Sequence, residues 1–517
     1  MIQTQRNRSD QIRAHTRRSA WFGFVVFVSS GCLLVLEIVA GRLLAPYIGV
    51  SLYTWTSIIG VILAGLSLGN WLGGRWADRG AGELAAGLTL ALSAMFTLAV
   101  LAILMLVAPW LQSRSFSLLS ASFIYVSILF FMPALLLGIV TPLLTTLVLR
   151  YDERAGHVVG RMHALAAMGS IVGTFAAGYW FVQAFGTRRI ILGTAAVLLI
   201  LAAPFFAKRW RMFAVITGGV IVTGFIAQQL QGLINPCNQE SRYYCIRVVD
   251  ADAPVQGMAK SLVLDHMTHS TNYQQDPALL LVPYVHVMDE LLNIYFEDSQ
   301  LQNLRLFFGG GGAYTHPRAI RSRFPESNIT VAEIDPAVTT AVQTQMFVDT
   351  DGMRLFHEDA RQVLNRLDNE KFDVIVTDVF HDLAVPYHLT TSEYTQRVKS
   401  RLSEDGLYLL NVVDIFPDPR LAKAFIKTLR NEFAYVDVWM EPPPGQMTRL
   451  TYVLSATDRD VFPDTIVSQS GIERIWFKAT VPILDTGTPI QSITVLSDDF
   501  APVESLVSRL FVTEAGL

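Results

Sequence analysis

Four strand ends within seventy residues hold the groups in this chain that could do chemistry. Residues 304–312 (LRLFFGGGG) form an apolar strand ending in four glycines, Gly309, Gly310, Gly311 and Gly312. Residues 331–336 (VAEIDP) end a second strand at Glu333, with Asp335 two residues on. A third strand, 353–356, runs into His357, Glu358, Asp359 and Ala360, and a fourth, 372–377, into Asp378. Twenty-four residues separate Gly309 from Glu333. In a nucleotide-binding α/β unit the glycines let the backbone approach the ligand, and the acid ending strand 2 accepts hydrogen bonds from ribose hydroxyls. A carboxylate at the fourth end can take a proton from a bound group. A single strand-end acid is often just a helix N-cap, but four in order make a site.

The elements that must position these groups alternate regularly. Strands at 304–308, 329–334, 353–356, 372–377, 406–412, 434–440 and 450–455 are interleaved with helices carrying 317–322 and covering 336–346, 391–402 and 418–431. This alternation predicts a doubly wound, mostly parallel sheet that binds its ligand at the carboxyl ends of its strands.

More than two hundred residues of a different character precede it. The chain of 517 residues is 51% hydrophobic and 16% charged, apolar for a soluble protein. Residues 1–231 hold 17 Lys+Arg against 6 Asp+Glu, whereas residues 232–517 hold 23 against 38. A basic half is thus joined to an acidic half of net charge −15, which argues against nucleic acid and favours cationic ligands. Seven apolar spans lie at 21–40, 53–74, 84–110, 116–149, 157–183, 190–207 and 211–231. Most reach the ~20 residues a bilayer-crossing helix needs. The predicted organisation is a basic N-terminal tail (1–20), a transmembrane helical domain (21–231), a β-rich part (232–300) and a Rossmann-like domain (301–517). The length of the first span, and Glu37 within it, argue against a cleaved signal peptide. The fourth span, with Pro133 and Pro142, predicts a kinked or partly re-entrant helix.

Charge placement sets two expectations against each other. Twelve arginines and lysines gather on the side of the N-terminus and four on the other, which places the N-terminus in the cytoplasm of a plasma (inner) membrane protein. Seven crossings then put residues 232–517 outside. A disulfide between Cys237 and Cys245, eight residues apart, would fit that side. Nucleoside-type donors are made inside, so the chemistry favours the opposite side.

In the first half, residues 73–80 (GGRWADRG) resemble the G-x-x-x-D-R loop of major-facilitator transporters, and spans one to six resemble half of such a transporter. Half a transporter lacks the partner repeat for alternating access, so a packing and anchoring bundle is the plainer reading. Glu37, Asn70, Arg161 and His163 are costly in lipid and mark either a function or an internal pair such as Glu37 with Arg161. Gly169 and Gly173 form a GxxxG packing face.

The order GGGG, E-x-D, D-A and Asp378 resembles the spermidine synthase family, whose catalytic domain has a methyltransferase-type fold. Residues 240–249 (ESRYYCIRVV) and 261–270 (SLVLDHMTHS) are similar to its β-rich N-terminal part. The segments GGGGAYTHPRAI, AEIDPAVT, VPYHLTTSEY and LSDDFAPVE resemble a membrane-fused subgroup. The fold class implied is therefore an α-helical multi-pass membrane domain of about seven spans followed by an α/β doubly wound, spermidine synthase-like domain. The resemblance implies an aminopropyl transfer from decarboxylated S-adenosylmethionine, a co-substrate rather than a resident cofactor. The acceptor would be a small-molecule or lipid-linked amine, the partner the lipid bilayer, and a homodimer is allowed for. It places Gly309, Gly310 and Gly311 under the donor's methionine-derived tail, Glu333 with Asp335 at the ribose, and Asp359 with Ala360 at the adenine. Asp378 and Asp382 become catalytic, and Tyr244, His269 and His381 become substrate-binding.

The departures lie on the acceptor side. Gly312 stands where the family has Asp, and His381 stands at the second Asp of D-x-x-D, with Asp382 following. Tyr244 and His269 replace two glutamines, and the family's Tyr-His-Glu segment falls on apolar residues around 280–282. Methyl transfer from S-adenosylmethionine is the first alternative, because the missing Asp removes a negative charge near the donor's carboxylate. A non-catalytic module for polyamines or other cations is the second. The spacing of His266, His269, His381 and His388 matches no metal site, so no metal is expected. Tyr243, Tyr244 and Tyr314 are open to two readings, adenine stacking or half-buried strand positions. Asp498 and Asp499 are equally open, either closing the acceptor pocket or capping a helix near Val503.

Overall fold

The computed structural model describes residues 2–113, 116–152, 154–252, 256–380, 385–469 and 471–512. The chain divides into two compact units near Pro236 and Cys237.

The first unit holds seven helices long and apolar enough to cross a membrane: α1 (Ile2–Ile48), α2 (Leu52–Asp78), α3 (Glu83–Gln112), α4 (Leu118–Leu149), α5 (Ala155–Phe185), α6 (Thr187–Phe206) and α7 (Trp210–Gln229). The basic N-terminal stretch continues the helix of the first span. Both prolines of the fourth span sit inside one uninterrupted 32-residue helix rather than a re-entrant break. Glycines set the closest approaches. A Cβ on Gly173 would stand 2.3 Å from the Gly31 carbonyl, and one on Gly69 would stand 2.1 Å from that of Leu135. The GxxxG face of α5 therefore lies directly on α1, and α2 packs as closely on α4. The proposed Glu37–Arg161 pair does not form: Arg161 instead donates to the Ser19 carbonyl at 3.3 Å. Eighteen positions separate Ser19 from Glu37 on α1, which at 1.5 Å per residue is roughly 27 Å of helix.

The second unit begins with an antiparallel sheet, β1 (Gln239–Glu240), β2 (Cys245–Ala251), β3 (Ala259–Leu264) and β4 (Met267–Tyr273), and a disulfide joins Cys237 to Cys245. Helix α8 (Pro283–Tyr295) follows, in a stretch the sequence left unassigned. Next come β5 (Arg305–Gly309), α9 (Thr315–Arg323), β6 (Asn328–Ala332), α10 (Pro336–Gln345), β7 (Arg354–Phe356), α11 (Ala360–Arg366), β8 (Phe372–Thr377), α12 (Ser392–Arg401), β9 (Leu402–Phe416), α13 (Arg420–Leu429), β10 (Tyr435–Met440), β11 (Thr448–Thr457), β12 (Thr465–Val467) and β13 (Ile475–Lys478). The nine-stranded sheet has the order β12-β13-β10-β11-β9-β8-β5-β6-β7. Pairing is parallel from β9 through β7, while β11 inserts antiparallel between β9 and β10. The expected doubly wound sheet is thus present, extended by an antiparallel margin of which 465–467 and 475–478 were not foreseen. The chain leaves β5 to one side through β6 and returns on the other through β8. The crevice between the ends of β5 and β8 is the switch point where such sheets bind ligands.

Asp414, fully buried, secures the far end of β9. Its Oδ2 accepts from the amides of Leu421 (2.7 Å) and Ala422 (3.1 Å), and its Oδ1 accepts from that of Ile415 (2.8 Å). Burial pushes its carboxyl up to about 7 despite these donors. The folded value lies above the unfolded one, so the stability it contributes is complete in acid and is lost as pH rises from about 4 to about 7. The expected loss is at most roughly 4 kcal/mol. Urea unfolding of the full-length protein across that range should show this slope, and Asp414→Asn should flatten it.

Candidate functional site

The glycine turn has one geometry open to it. Gly310 has φ +92°, and a Cβ there would stand 1.9 Å from the Asp378 carbonyl oxygen. The amide of Asp378 donates to the Gly309 carbonyl at 2.8 Å, and that of Gly310 to the Ala332 carbonyl at 2.9 Å. The ends of β5, β6 and β8 are thereby drawn into one corner. A Cβ on Gly309 would stand 3.1 Å from that of Ala360. Gly312, at φ +49°, has open space where its side chain would be.

Glu333 is buried, and its carboxylate is engaged by backbone. Oε2 accepts from the amides of Gly311 (2.8 Å) and Gly312 (3.2 Å), and Oε1 accepts from that of Asp335 (2.9 Å). Burial pushes Glu333 above the ordinary carboxylate range, and these three amides pull the other way. A carboxylate has about four acceptor positions, so one is left for a ligand hydroxyl. Asp335 plays a different part from the one its motif suggests. It caps α10 through the Ala337 amide (3.0 Å), and its other oxygen accepts from the Ser241 hydroxyl. Tyr244 is buried beside these two acids, whose charges, together with burial, hold its hydroxyl well above the ordinary value. It therefore lies in the corner of Glu333 and Asp335.

Asp359 caps α11 through the Gln362 amide (3.1 Å) and meets His388 Nε2 at 2.7 Å. Burial works to raise it, but the His388 ring and the amides outweigh burial and hold it below its usual range. Arg361, two residues on, grips Asp498 with both terminal nitrogens at 2.7 and 2.6 Å. Asp498 also accepts from Thr391 at 2.7 Å. It does not cap the helix at Val503, whose N-cap is Pro502. Tyr314 is fully buried with its hydroxyl 2.8 Å from Thr339, a core position and not a stacking surface.

Asp378 lines a cleft together with His269, Tyr284, Met288, Phe308, Thr315 and His316, and with Gly310, Gly311 and Gly312 of the glycine turn. Tyr284, at the start of α8, lies 2.9 Å from Asp378 Oδ2 and 3.1 Å from the His269 carbonyl. One hydroxyl proton serves both, so its direction follows the charge on Asp378. Burial pushes Asp378 above the ordinary range, while hydrogen bonds from Tyr284 and Asn411 and the field of His316 pull it down. The tyrosine lies only two residues beyond the apolar run at 280–282. The aromatic-plus-acid pattern of α8 (PYVHVMDE) was the signal available for it. His269 lines the cleft as expected, whereas His381 and Asp382 lie outside the described residues. Among the described residues no cluster of His, Cys, Asp or Glu has a metal-holding arrangement.

Residues 308–461 match the family described as "Spermine/spermidine synthase domain". The chain is 30% identical over 140 residues to the polyamine aminopropyltransferase of Vibrio vulnificus (strain CMCP6), covering 26% of this chain and 46% of that protein. It is 22% identical over 232 residues to a probable polyamine aminopropyl transferase of Bifidobacterium longum (strain NCC 2705), covering 40% and 50% respectively. The chain thus spans about half the length of the curated relatives it matches. A probable spermidine synthase from Corynebacterium glutamicum ATCC 13032 superposes with TM-score 0.42 at 22% identity, covering 50% of this chain and 95% of that one. The match lies in the second unit and stops short of the seven apolar helices, and residues 308–461 are similar to a spermine/spermidine synthase domain and to polyamine aminopropyltransferases.

Proposed function

We propose that the chain is an integral membrane aminopropyltransferase. It takes its aminopropyl group from decarboxylated S-adenosylmethionine and passes it to an amine, either free or lipid-linked. The observation that carries this reading is Asp378, a carboxylate at the sheet's switch point, lining a cleft directly beside the glycine turn. In this reading the glycine turn and Glu333 hold the donor, with Asp359 and His388 at its adenine end. Asp378 holds the acceptor ammonium. The amine nitrogen attacks the carbon bonded to the sulfonium, the carbon–sulfur bond breaks with its electron pair going to sulfur, and the proton leaves the nitrogen for a base in the cleft. The seven apolar helices would anchor the domain or deliver the acceptor.

Two observations favour other readings. Gly312 leaves the donor side one carboxylate short, which suits the carboxylate of intact S-adenosylmethionine and hence methyl transfer. The Cys237–Cys245 disulfide belongs to an oxidising compartment, where the usual donor is absent and a cation-binding module would be the natural role. The deciding experiment incubates the full-length protein with either donor and a panel of amines, and reads products by mass spectrometry. A paired reporter fusion after Leu517 gives the side of the membrane. Aminopropylated product and a cytoplasmic C-terminus are expected. A methylated product selects the first alternative. Amine binding without turnover of either donor selects the second.

A further inference from the structure

His316 is 5% exposed and forms part of the cleft wall. Neither of its ring nitrogens has a hydrogen-bond partner among the described residues. Leaving a buried donor or acceptor unsatisfied costs about 1–3 kcal/mol, and native structures keep such groups for a reason. Its Nε2 lies 3.4 Å from Asp289 Oδ1, an ion-pair distance without hydrogen-bond alignment. Asp289, on α8, is 3% exposed. Burial works to raise that carboxyl, but His316 and Arg323 outweigh it and keep the group below its usual range, hence charged. Arg323 meets the same Oδ1, and Asn293 donates to Oδ2 at 3.3 Å. The Phe308 ring stands edge-on to the imidazole at 5.5 Å between centroids, which fixes its plane. The titratable groups around His316 are Asp289 and Tyr284 from α8, Arg323 from α9 through Asp289, Asp378 from the end of β8, and His269 from β4.

We propose that His316 is a catalytic base of this cleft: with Nε2 turned toward Asp289, Nδ1 accepts a hydrogen bond, and then the proton, from the amine held by Asp378. The inference rests on the transferase reading above and completes it. An ammonium must lose a proton before its nitrogen can attack a sulfonium-bound carbon, and a carboxylate is poorly matched to that task. Imidazole is the side-chain base suited to neutral pH. An acid behind the imidazole that fixes its orientation is the arrangement a general base requires. Asp378 then supplies charge for binding, His316 takes the proton, and Asp289 is a positioning residue. The nitrogen–carbon bond forms, the carbon–sulfur pair moves to sulfur, and the imidazolium returns its proton to water.

The test uses full-length protein in detergent micelles with ¹⁵N-labelled histidine. The His316 resonance, identified by its absence in His316→Phe, is followed on adding putrescine together with 5′-methylthioadenosine. It is expected to shift, and to shift less in Asp378→Asn, which lacks the charge that would hold the amine beside it. In the transfer assay His316→Phe should lower kcat about 100-fold with the amine KM changed by no more than about threefold. It should also remove the upper of two ionisations on the acid limb of the pH profile. Asp289→Asn, which retains shape, should lower kcat about tenfold and displace that ionisation. An unchanged pH profile in His316→Phe, or a His316 resonance indifferent to putrescine, overturns the proposal. A wild-type protein that turns over neither donor yet shows the shift overturns the transferase reading and retains His316 as an amine ligand.

Discussion

Asp378→Asn will bind donor as the wild type does and transfer its group about 10³-fold more slowly. The substitution keeps the shape of the side chain and an oxygen for the Tyr284 hydroxyl, which stands 2.9 Å from the native carboxylate. It removes the one formal negative charge among the described cleft-lining residues. Without that charge the acceptor ammonium has no counter-ion where desolvation is strongest, and the fraction of amine correctly placed for attack collapses. Losses of this order follow when a reacting nitrogen is no longer held in position for attack. In the proposed reading the donor is held on the Glu333 and Asp359 side, so its affinity should be preserved. Calorimetric titration with 5′-methylthioadenosine and single-turnover product formation check the two halves. Unimpaired transfer by Asp378→Asn would remove the acid from the reaction. Lost donor binding would make it a structural prop of the glycine turn.

Gly310→Ala is expected to abolish donor binding and to lower stability by more than about 3 kcal/mol. Two costs coincide at this residue. A φ of +92° is strained for any side chain-bearing residue, which costs about 1–2 kcal/mol. The added methyl would also stand 1.9 Å from the Asp378 carbonyl, and that is backbone, which cannot swing aside like a flexible side chain. Relief requires separating the ends of β5 and β8, breaking the 2.8 Å bond from the Asp378 amide to the Gly309 carbonyl. Gly312→Ala is the control. It shares a positive φ, of +49°, but meets nothing within 4 Å, so only the conformational cost of about 1 kcal/mol applies. Denaturant midpoints of the two variants, with donor titrations on each, distinguish steric exclusion from general glycine loss.

The sequence could be read this far because strand ends are local. An apolar run that stops at glycine or at an acid, followed by a helical pattern, fixes where each group sits along the chain. The alternation of such units fixes the sheet class. Gly309 through Gly312, Glu333, Asp359 and Asp378 were therefore visible at once, and the structure gathers them in one corner of the sheet. The seven apolar helices were equally visible, since length and composition alone define them.

What the side chains do after the ends meet was not visible. Asp335 and Asp359 each resemble a ligand-binding acid in the sequence, and the structure shows that both also cap the helix that follows them. Glu333 is largely taken up by the amides of a turn more than twenty residues earlier. Tyr284 reaches Asp378 across ninety-four residues, and Asp498 reaches Arg361 across 137. His316 and Asp289 meet because α8 and α9 pack together, and nothing in their spacing announces it. By itself the sequence determined the fold class, the two halves and the strand ends, because hydrophobic periodicity and turn chemistry act over a few residues. Only the tertiary structure decided which carboxylates remain available and which aromatic and imidazole groups face them, because hydrogen-bond saturation and burial depend on neighbours that the chain brings together only when it folds.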